Sequence, residues 1–202
     1  DISSAQGQSF NDRVEALLQL GCRIFELPIG LETVVRGEEL EIKQVNVPGT
    51  AFHPGARVPL EETYCAETLR RDGPLSVEHA GAMDEWKHHP AYAALKFESY
   101  IGTPINGLER TYGTLCFAGF EPRPKGFTEA ERDFIQLMAR WLAVELDRHT
   151  ALDALLASEE RFSKAFRTSP HPIGITEVAT GRCIEVNDAG LHAFGFRREE
   201  VI

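Results

Sequence analysis

The pattern of hydrophobic and polar positions in the first part of the chain predicts one helix followed by strands. Between residues 10 and 20, apolar side chains recur with helical spacing, and Gly21 predicts the end of that helix. The segments 22–27 and 31–35 predict extended structure. Residues 40–47 alternate between apolar and polar, which predicts a half-buried antiparallel strand.

The middle of the chain predicts a second group of short elements. Five proline and glycine residues between positions 48 and 59 indicate a loop. A helix is predicted over 60–71, with Asp72-Gly73-Pro74 as its stop. Residues 80–95 form a polar and aromatic segment without clear periodicity. Three further strands are predicted at 75–79, 98–106 and 112–117.

A long helical pattern begins at the capping box formed by Thr128 and Glu131. Apolar residues then recur seven positions apart, with Arg148 as an interruption. One interpretation is a helix that packs on its own sheet, and the other is a parallel coiled coil between two subunits. The two are compatible, and we expect a homodimer through this helix. The predicted dimer-face residues are Phe134, Leu137, Trp141, Val144 and Leu155.

The last part of the chain predicts the opening of a second folded unit. Ser169-Pro-His-Pro172 ends the long helix, because proline disfavours helix at its own position and at the one before it. Residues 173–178 and 183–186 predict a hairpin, and Asn187 predicts the cap of a short helix. About 35 residues are too few for an independent core, so we expect this unit to be truncated.

Three segments of this sequence carry a resemblance to a known family. They are Leu60-Glu-Glu-Thr-Tyr-Cys-Ala-Glu-Thr-Leu, Ser99-Tyr-Ile-Gly-Thr-Pro-Ile, and Tyr112-Gly-Thr-Leu-Cys-Phe with Phe127-Thr-Glu-Ala-Glu after it. With the order of elements, they resemble a GAF domain of bacterial sensory proteins over residues 8–150. The resemblance implies an α+β fold, in which a central antiparallel sheet is flanked by helices and followed by a long C-terminal signalling helix.

The C-terminal residues resemble the opening of a PAS domain. The similar segments are 158–166, Ile184-Glu-Val-Asn-Asp-Ala and Phe194-Gly-Phe. The two resemblances imply a GAF-like domain at 8–150, a helical linker at 151–168 and the truncated start of a PAS domain at 169–202. They imply a sensory module of a bacterial signalling protein, such as a two-component histidine kinase. These residues contain no output motif, so we expect no enzymatic activity from them.

The composition of the chain argues against several classes of protein and of binding partner. Of 202 residues, 43% are hydrophobic and 26% are charged, which excludes a mainly disordered chain. The net charge of −10 argues against direct nucleic-acid binding, and no apolar run is long enough for a membrane span. Residues 1–6 lack the features of a signal peptide. Four scattered cysteines without metal-ligand spacing predict no metal site and reduced thiols in the cytoplasm.

The GAF resemblance implies a small-ligand pocket between the sheet and the loop-side segments. Its expected mixture of apolar and polar groups suits a small molecule, although the ligand or cofactor cannot be named. The alternative is a ligand-free core in a domain that serves only dimerisation. The residues carried over to the pocket are Tyr64, Cys65, Trp86, His89, Tyr100, Thr114 and Cys116.

Cys65 is the thiol of most chemical interest, because a position near a helix start favours the thiolate. Glu61, Glu62 and Glu67 oppose that effect, and a buried structural cysteine is the simpler interpretation. GAF-type reductases of free methionine sulfoxide have a cysteine at the position of Cys65. They also need a second cysteine where residues 92–95 stand, and none is present. Thiol redox chemistry at Cys65 therefore stays an alternative, without a predicted partner.

Other ligands known from GAF proteins receive little support. A covalent bilin needs a cysteine in the region of residues 86–90, where none stands. His88 and His89 could bind haem iron or another metal, and His53 is a weaker candidate, but histidines in polar loops are usually surface residues. Residues 127–131 are better explained as a helix cap than as part of a cyclic-nucleotide signature.

Overall fold

The computed structural model describes residues 9–46, 52–71 and 73–201. The chain forms two compact units that divide between Asp147 and Arg148. The predictions for residues 1–6, for the prolines and glycines at 48–49 and for Asp72 lie outside the described residues. Among the helices formed by the described residues, none has both the length and the apolar composition that a membrane crossing requires.

The first unit is built on a six-stranded antiparallel sheet, as the resemblance implied. The strands lie in the order β3-β2-β1-β6-β5-β4, so the long strands β1 and β6 are central and the shortest strands form the edges. The predicted α+β fold is therefore confirmed. The strands are β1 Ile29–Arg36, β2 Glu39–Val45, β3 Arg57–Pro59, β4 Leu75–Val77, β5 Ser99–Asn106 and β6 Thr111–Gly119.

The first helix, α1, spans Phe10–Phe25 and is longer than predicted. Ser9 caps it, because its Oγ accepts a hydrogen bond from the Asp12 amide at 3.2 Å. The helix continues through Gly21 to a left-handed Glu26, so the predicted break and the predicted strand over 22–27 are wrong. The ring of Phe117 lies against Gly21, where a Cβ would come within 2.1 Å of it. The glycine serves close packing and does not end the helix.

The sheet has two covered faces because side chains alternate along each strand. In β6, Leu115 and Phe117 face α1 and the helix that follows the sheet, whereas Cys116 and Ala118 belong to the core on the opposite face. Residues on both faces are almost fully buried. Strand β6 therefore contributes side chains to both cores, so the packing of one core is connected to the packing of the other through this strand.

Short elements cover the second face and differ from the prediction. The helix predicted over 60–71 is a 3₁₀ turn at Leu60–Glu62 followed by α2 at Tyr64–Leu69. The predicted loop before it contains β3. The segment predicted as irregular contains α3, Pro90–Leu95, which has too few turns to show helical periodicity in the sequence.

The long helix α4 spans Glu129–Thr168 and begins at the predicted capping box. The Thr128 amide donates to Glu131 Oε2 at 2.8 Å, and the Glu131 amide donates to Thr128 Oγ1 at 3.2 Å. Its N-terminal half packs on the sheet through Ile135, Met138 and Leu142. The helix ends immediately before Ser169, as the prolines there predicted.

The second unit contains the C-terminal part of α4, the predicted hairpin and two short helices. Strands β7, Gly174–Thr176, and β8, Cys183–Val186, pair antiparallel. The predicted cap is confirmed, since Asn187 Oδ1 accepts from the Gly190 amide at 2.8 Å at the start of α5, Asp188–Phe194. The final helix, α6, spans Arg198–Val201.

Candidate functional site

A small apolar cavity lies in the first unit, on the face of the sheet that α1 does not cover. Residues of β1, β2, β5, β6 and α2 line it, together with Phe52 and Phe97. Its volume is about 40 Å³. A water molecule occupies ~30 Å³ in the liquid, and sites for drug-sized ligands have volumes of ~300–1,000 Å³. The cavity thus has room for molecules of the size of water or slightly larger.

Stacked aromatic rings fill most of the space that a larger ligand would need. The ring of Tyr64 lies between those of Trp86 and Tyr100, with centroid distances of 4.9 and 5.0 Å. The Tyr64 hydroxyl donates to the backbone oxygen of Phe97 at 2.7 Å. Burial raises the pKa of Tyr64, so this hydroxyl remains a neutral donor. The stack is a fixed wall of the cavity.

Two cysteines meet at this cavity. Cys65 is the second residue of α2 and Cys116 lies in the middle of β6, and their Sγ atoms are 3.9 Å apart. Both are buried, and both side chains line the cavity. The Tyr100 hydroxyl lies 3.8 Å from Cys65 Sγ and 2.8 Å from Thr68 Oγ1. These groups form a small polar cluster within an otherwise apolar wall.

The two thiols differ in their electrostatics. The hydrogen bond from Cys116 lowers the pKa of Cys65, while burial opposes that effect. The pKa of Cys116 is raised well above its usual range, because that thiol already donates to Cys65 and is itself buried. Within this pair, Cys65 is therefore the thiol that ionises first.

Sequence reasoning missed the pairing of the two thiols. The family resemblance carried both Cys65 and Cys116 over to the pocket, but no partner for Cys65 was identified from the sequence. The two positions are 51 residues apart, and their meeting depends on how α2 packs over β6. Position 116 faces the cavity because it alternates with Leu115 and Phe117 along β6.

The other predicted pocket residues surround the cavity without lining it. Thr114 is buried and its Oγ1 lies 2.8 Å from that of Thr33, which does line the cavity. His89 packs against Trp86, with ring centroids 5.0 Å apart. Its Nδ1 accepts from the Ala91 amide at 3.1 Å, so its role is to cap α3.

The described residues offer no site of the kind that a bound metal ion requires. Within 9–46, 52–71 and 73–201, no group of three or more His, Cys, Asp or Glu side chains is arranged to hold a metal ion. His88 is exposed, and His89 Nε2 lies 3.6 Å from the Glu67 carboxylate. The two adjacent histidines therefore have separate surroundings.

A family model for the GAF domain matches residues 11–146, which is more than half of the chain. The chain belongs to the GAF domain family. No curated protein matches it in sequence. The match covers both faces of the sheet, the cavity and the first part of α4.

Solved structures of other GAF proteins share this fold. A GAF domain of an Acinetobacter phosphoenolpyruvate-protein phosphotransferase is 12% identical, with a TM-score of 0.60 and coverage of 74% of this chain and 89% of that chain. The GAF domain of a two-component sensor histidine kinase from Bacillus halodurans is 15% identical, with a TM-score of 0.54 and coverage of 72% and 98%.

A third similar structure is an enzyme. Free methionine-R-sulfoxide reductase from Neisseria meningitidis, solved in complex with its substrate, is 16% identical, with a TM-score of 0.56 and coverage of 71% of this chain and 81% of that chain. At these identities, the three similarities show a common fold alone.

The predicted dimer-face residues occupy different environments along α4. In the GAF domain, Leu137 and Val144 are 62% and 65% exposed, and the Arg13 guanidinium lies 5.9 Å from the centre of the Trp141 ring. Phe134 is half-buried and packs toward Phe25, so it contributes to the domain core. In the second unit, Leu155 is exposed on the C-terminal half of the helix.

A buried carboxyl group lies on the helix-facing side of the sheet. Glu32 of β1 is only 2% exposed and stands opposite Leu115 in the ladder with β6. Burial raises its pKa to about 7, and the positive charge of Lys43 lowers it only in part. Sequence reasoning assigned no role to Glu32, because its position in a run of strand residues does not reveal that both faces of that strand are covered.

Proposed function

We propose that this chain contains the cytoplasmic sensory module of a bacterial signalling protein. In this proposal the GAF domain responds to a small ligand or a partner, and α4 transmits the response in a homodimer to a domain that begins after Thr168. The observation that carries the proposal is the continuity of α4, which packs on the GAF sheet and then extends without interruption to Thr168.

The packing of the sheet supports a route from the cavity to α4. Cys116 of β6 lines the cavity, while its neighbours Leu115 and Phe117 belong to the same core as Ile135 and Leu142 of α4. Protein interiors are tightly packed, so a displacement of one face of β6 must be absorbed by the other. A ligand shifts the helix only if it binds two arrangements of this core with different affinities.

The surface of α4 supports a homodimer. Exposed apolar side chains on a helix are costly in water, and Leu137 and Val144 are both more than half exposed. They are seven residues apart, the spacing of one position of a coiled-coil heptad. Leu155, in the second unit, belongs to the companion heptad position, fourteen residues after Trp141. A second copy of the helix would cover these side chains.

A second candidate function is a structural dimerisation module that binds no ligand. The small volume of the cavity favours it, because about 40 Å³ does not admit a metabolite of ordinary size. In either case we propose that these residues have no enzymatic activity. The similarity of residues 169–202 to a PAS opening supports a further sensory or relay domain after α4.

The dimer is tested by sedimentation of the whole 202-residue chain at tens of micromolar. We expect a dimer for the wild type and a monomer for Leu137→Glu combined with Val144→Glu. Leu108→Glu serves as a matched control, since Leu108 is 91% exposed on the hairpin between β5 and β6. A monomeric wild type would contradict the proposal, and unchanged far-UV circular dichroism of the variants would confirm that they are folded.

The ligand is tested in two steps. The absorbance spectrum and native mass of the purified protein reveal any retained cofactor. Thermal unfolding with a panel of small metabolites then reveals weaker ligands, because a ligand that binds the folded state raises the melting temperature. A retained or stabilising molecule supports the sensor. A protein that carries nothing and is stabilised by none of the compounds supports the structural module.

A further inference from the structure

We propose that Cys65 and Cys116 form a reversible disulfide when a small neutral hydroperoxide enters the cavity. The proposal rests on the 3.9 Å separation of the two Sγ atoms and on their shared position in the wall of the cavity. It does not depend on the function proposed above, since the pair can be oxidised whether or not α4 responds. Hydrogen peroxide is the simplest oxidant of this class.

The geometry requires only a short movement. A disulfide bond is ~2.05 Å long, so the sulfurs must approach each other by about 2 Å. Each cysteine side chain turns about a single side-chain torsion. Cys65 lies in the first turn of α2, a helix of six residues, whereas Cys116 is held in a central strand. We therefore expect Cys65 to make most of the movement.

The cavity selects the oxidant. Its lining is almost entirely apolar, and its volume of about 40 Å³ matches a molecule of two or three heavy atoms. A peptide disulfide such as oxidised glutathione is far too large to enter. An anionic oxidant would lose its hydration in an apolar site, which is costly. A neutral hydroperoxide satisfies both limits and brings its O–O bond next to two thiols.

The electrostatics of the pair assign the order of the steps. Cys65 attacks first, because the neighbouring Cys116 thiol lowers its pKa, and the Tyr100 hydroxyl lies 3.8 Å from the same sulfur. The sulfur forms an S–O bond with the terminal oxygen of the hydroperoxide, and the O–O bond breaks. The thiol proton leaves with the other oxygen as an alcohol, or as water from hydrogen peroxide. Cys65 becomes a sulfenic acid.

The second step closes the disulfide. Cys116 Sγ attacks Cys65 Sγ, the S–O bond breaks, and the hydroxyl group leaves with the Cys116 proton as water. In sum, one hydroperoxide and two thiols give one alcohol, one disulfide and one water, and two electrons pass from the thiols to the peroxide. A dithiol reductant, which is too large for the cavity, returns the pair to its starting state by thiol–disulfide exchange when local opening of the domain exposes the disulfide. The oxidised form ties α2 covalently to β6.

The experiment measures which thiols disappear. The reduced, folded 202-residue protein is treated with hydrogen peroxide, the remaining thiols are alkylated under denaturing conditions, and the intact mass and tryptic peptides are determined. We expect two of the four cysteines to resist alkylation. We also expect a linked peptide that joins residues 58–70, which contain Cys65, to residues 111–125, which contain Cys116. Dithiothreitol added under the denaturing conditions should restore all four thiols.

Cysteine variants show whether the disulfide forms between Cys65 and Cys116 or involves one of the other two cysteines. Cys22→Ser and Cys183→Ser should still form the linked peptide, because Cys22 belongs to the opposite core and Cys183 to the second unit. Cys116→Ser should form no disulfide and should accumulate a sulfenic acid at Cys65, which dimedone traps when it is added together with the denaturant. If serine at position 116 prevents folding, Cys116→Ala is the replacement, and the peptide map of the wild type remains decisive alone.

Three outcomes would overturn the proposal. One is full alkylation of Cys65 and Cys116 after peroxide treatment that oxidises the urea-unfolded protein. Another is a disulfide that joins Cys65 or Cys116 to a second chain, seen as a doubled mass and located by the linked peptide. The third is a linked peptide that contains Cys22 or Cys183 in place of either member of the pair. None of these depends on whether the protein signals.

Discussion

Replacing the buried Glu32 by glutamine should change how stability depends on pH. In the folded protein, burial raises the pKa of Glu32 to about 7 from its ordinary value of 4.5. Between these two values the folded state retains a proton that the unfolded chain has lost. The stability contributed by protonated Glu32 is therefore fully present below pH 4.5 and is lost as the pH rises through 7. Glutamine has no such titration.

The size of the effect follows from the pKa. A rise of the Glu32 pKa from 4.5 to about 7 corresponds to a loss of ~3 kcal/mol of folding stability when the carboxylate is ionised in both the folded and the unfolded state, since each pKa unit is worth ~1.4 kcal/mol. At pH 5 Glu32 is still protonated in the folded protein, so most of this loss of stability is absent. The advantage of Glu32→Gln over the wild type should therefore grow by ~2–3 kcal/mol between pH 5 and pH 8. Taking this difference removes the contributions of other titrating groups.

Urea unfolding at several pH values measures the difference. Both tryptophans, Trp86 and Trp141, lie in the first unit, so their fluorescence follows the unfolding of the domain that contains Glu32. Glu38→Gln is the control, because it removes an exposed carboxylate from the adjoining turn between β1 and β2. A pH profile for Glu32→Gln that runs parallel to the wild type would refute the reasoning. So would a variant that is less stable at pH 8.

Two further substitutions test the packing of each unit. Gly21→Ala should destabilise the first unit by about 1–3 kcal/mol in the same urea assay, because a Cβ would come within 2.1 Å of the buried Phe117 ring. This clash should outweigh the better helix propensity of alanine. Gln19→Ala on the exposed face of α1 is the control, and a stabilised Gly21→Ala would contradict the packing argument. Asn187→Ala should speed hydrogen exchange of the α5 amides, because it removes four hydrogen bonds of a fully buried side chain, at a cost of about 2–4 kcal/mol. Thr180→Ala in the exposed hairpin turn should leave that exchange unchanged, and equal effects of the two would show that Asn187 is not a cap of this unit.

Local sequence chemistry was sufficient for several elements of the fold. The capping box at Thr128 and Glu131 and the side chain of Asn187 each act on backbone groups within three residues, so their effect is visible in the sequence. The alternation over 40–47 predicted β2 for the same reason. Family resemblance then supplied the α+β fold, which no single segment would have revealed.

The errors arose where a contact distant in sequence decided the local structure. Gly21 was expected to end α1, but the Phe117 ring occupies the space that a side chain would need, and the helix continues beneath it. The short helix α3 was missed because six residues give less than two turns of periodic pattern. Its cap comes from the imidazole of His89, which also packs on Trp86.

The sequence by itself determined the classes of element, the family and the residues on which any chemistry must rest, because propensity, capping and alternation act over a few residues. The tertiary structure alone decided how those residues meet. It placed Cys65 beside Cys116 across 51 residues and enclosed Glu32 between two covered faces. It also filled the expected ligand pocket with the stacked ring of Tyr64. Distances, burial and pKa shifts depend on packing between distant segments, and that information is not carried by any short window of sequence.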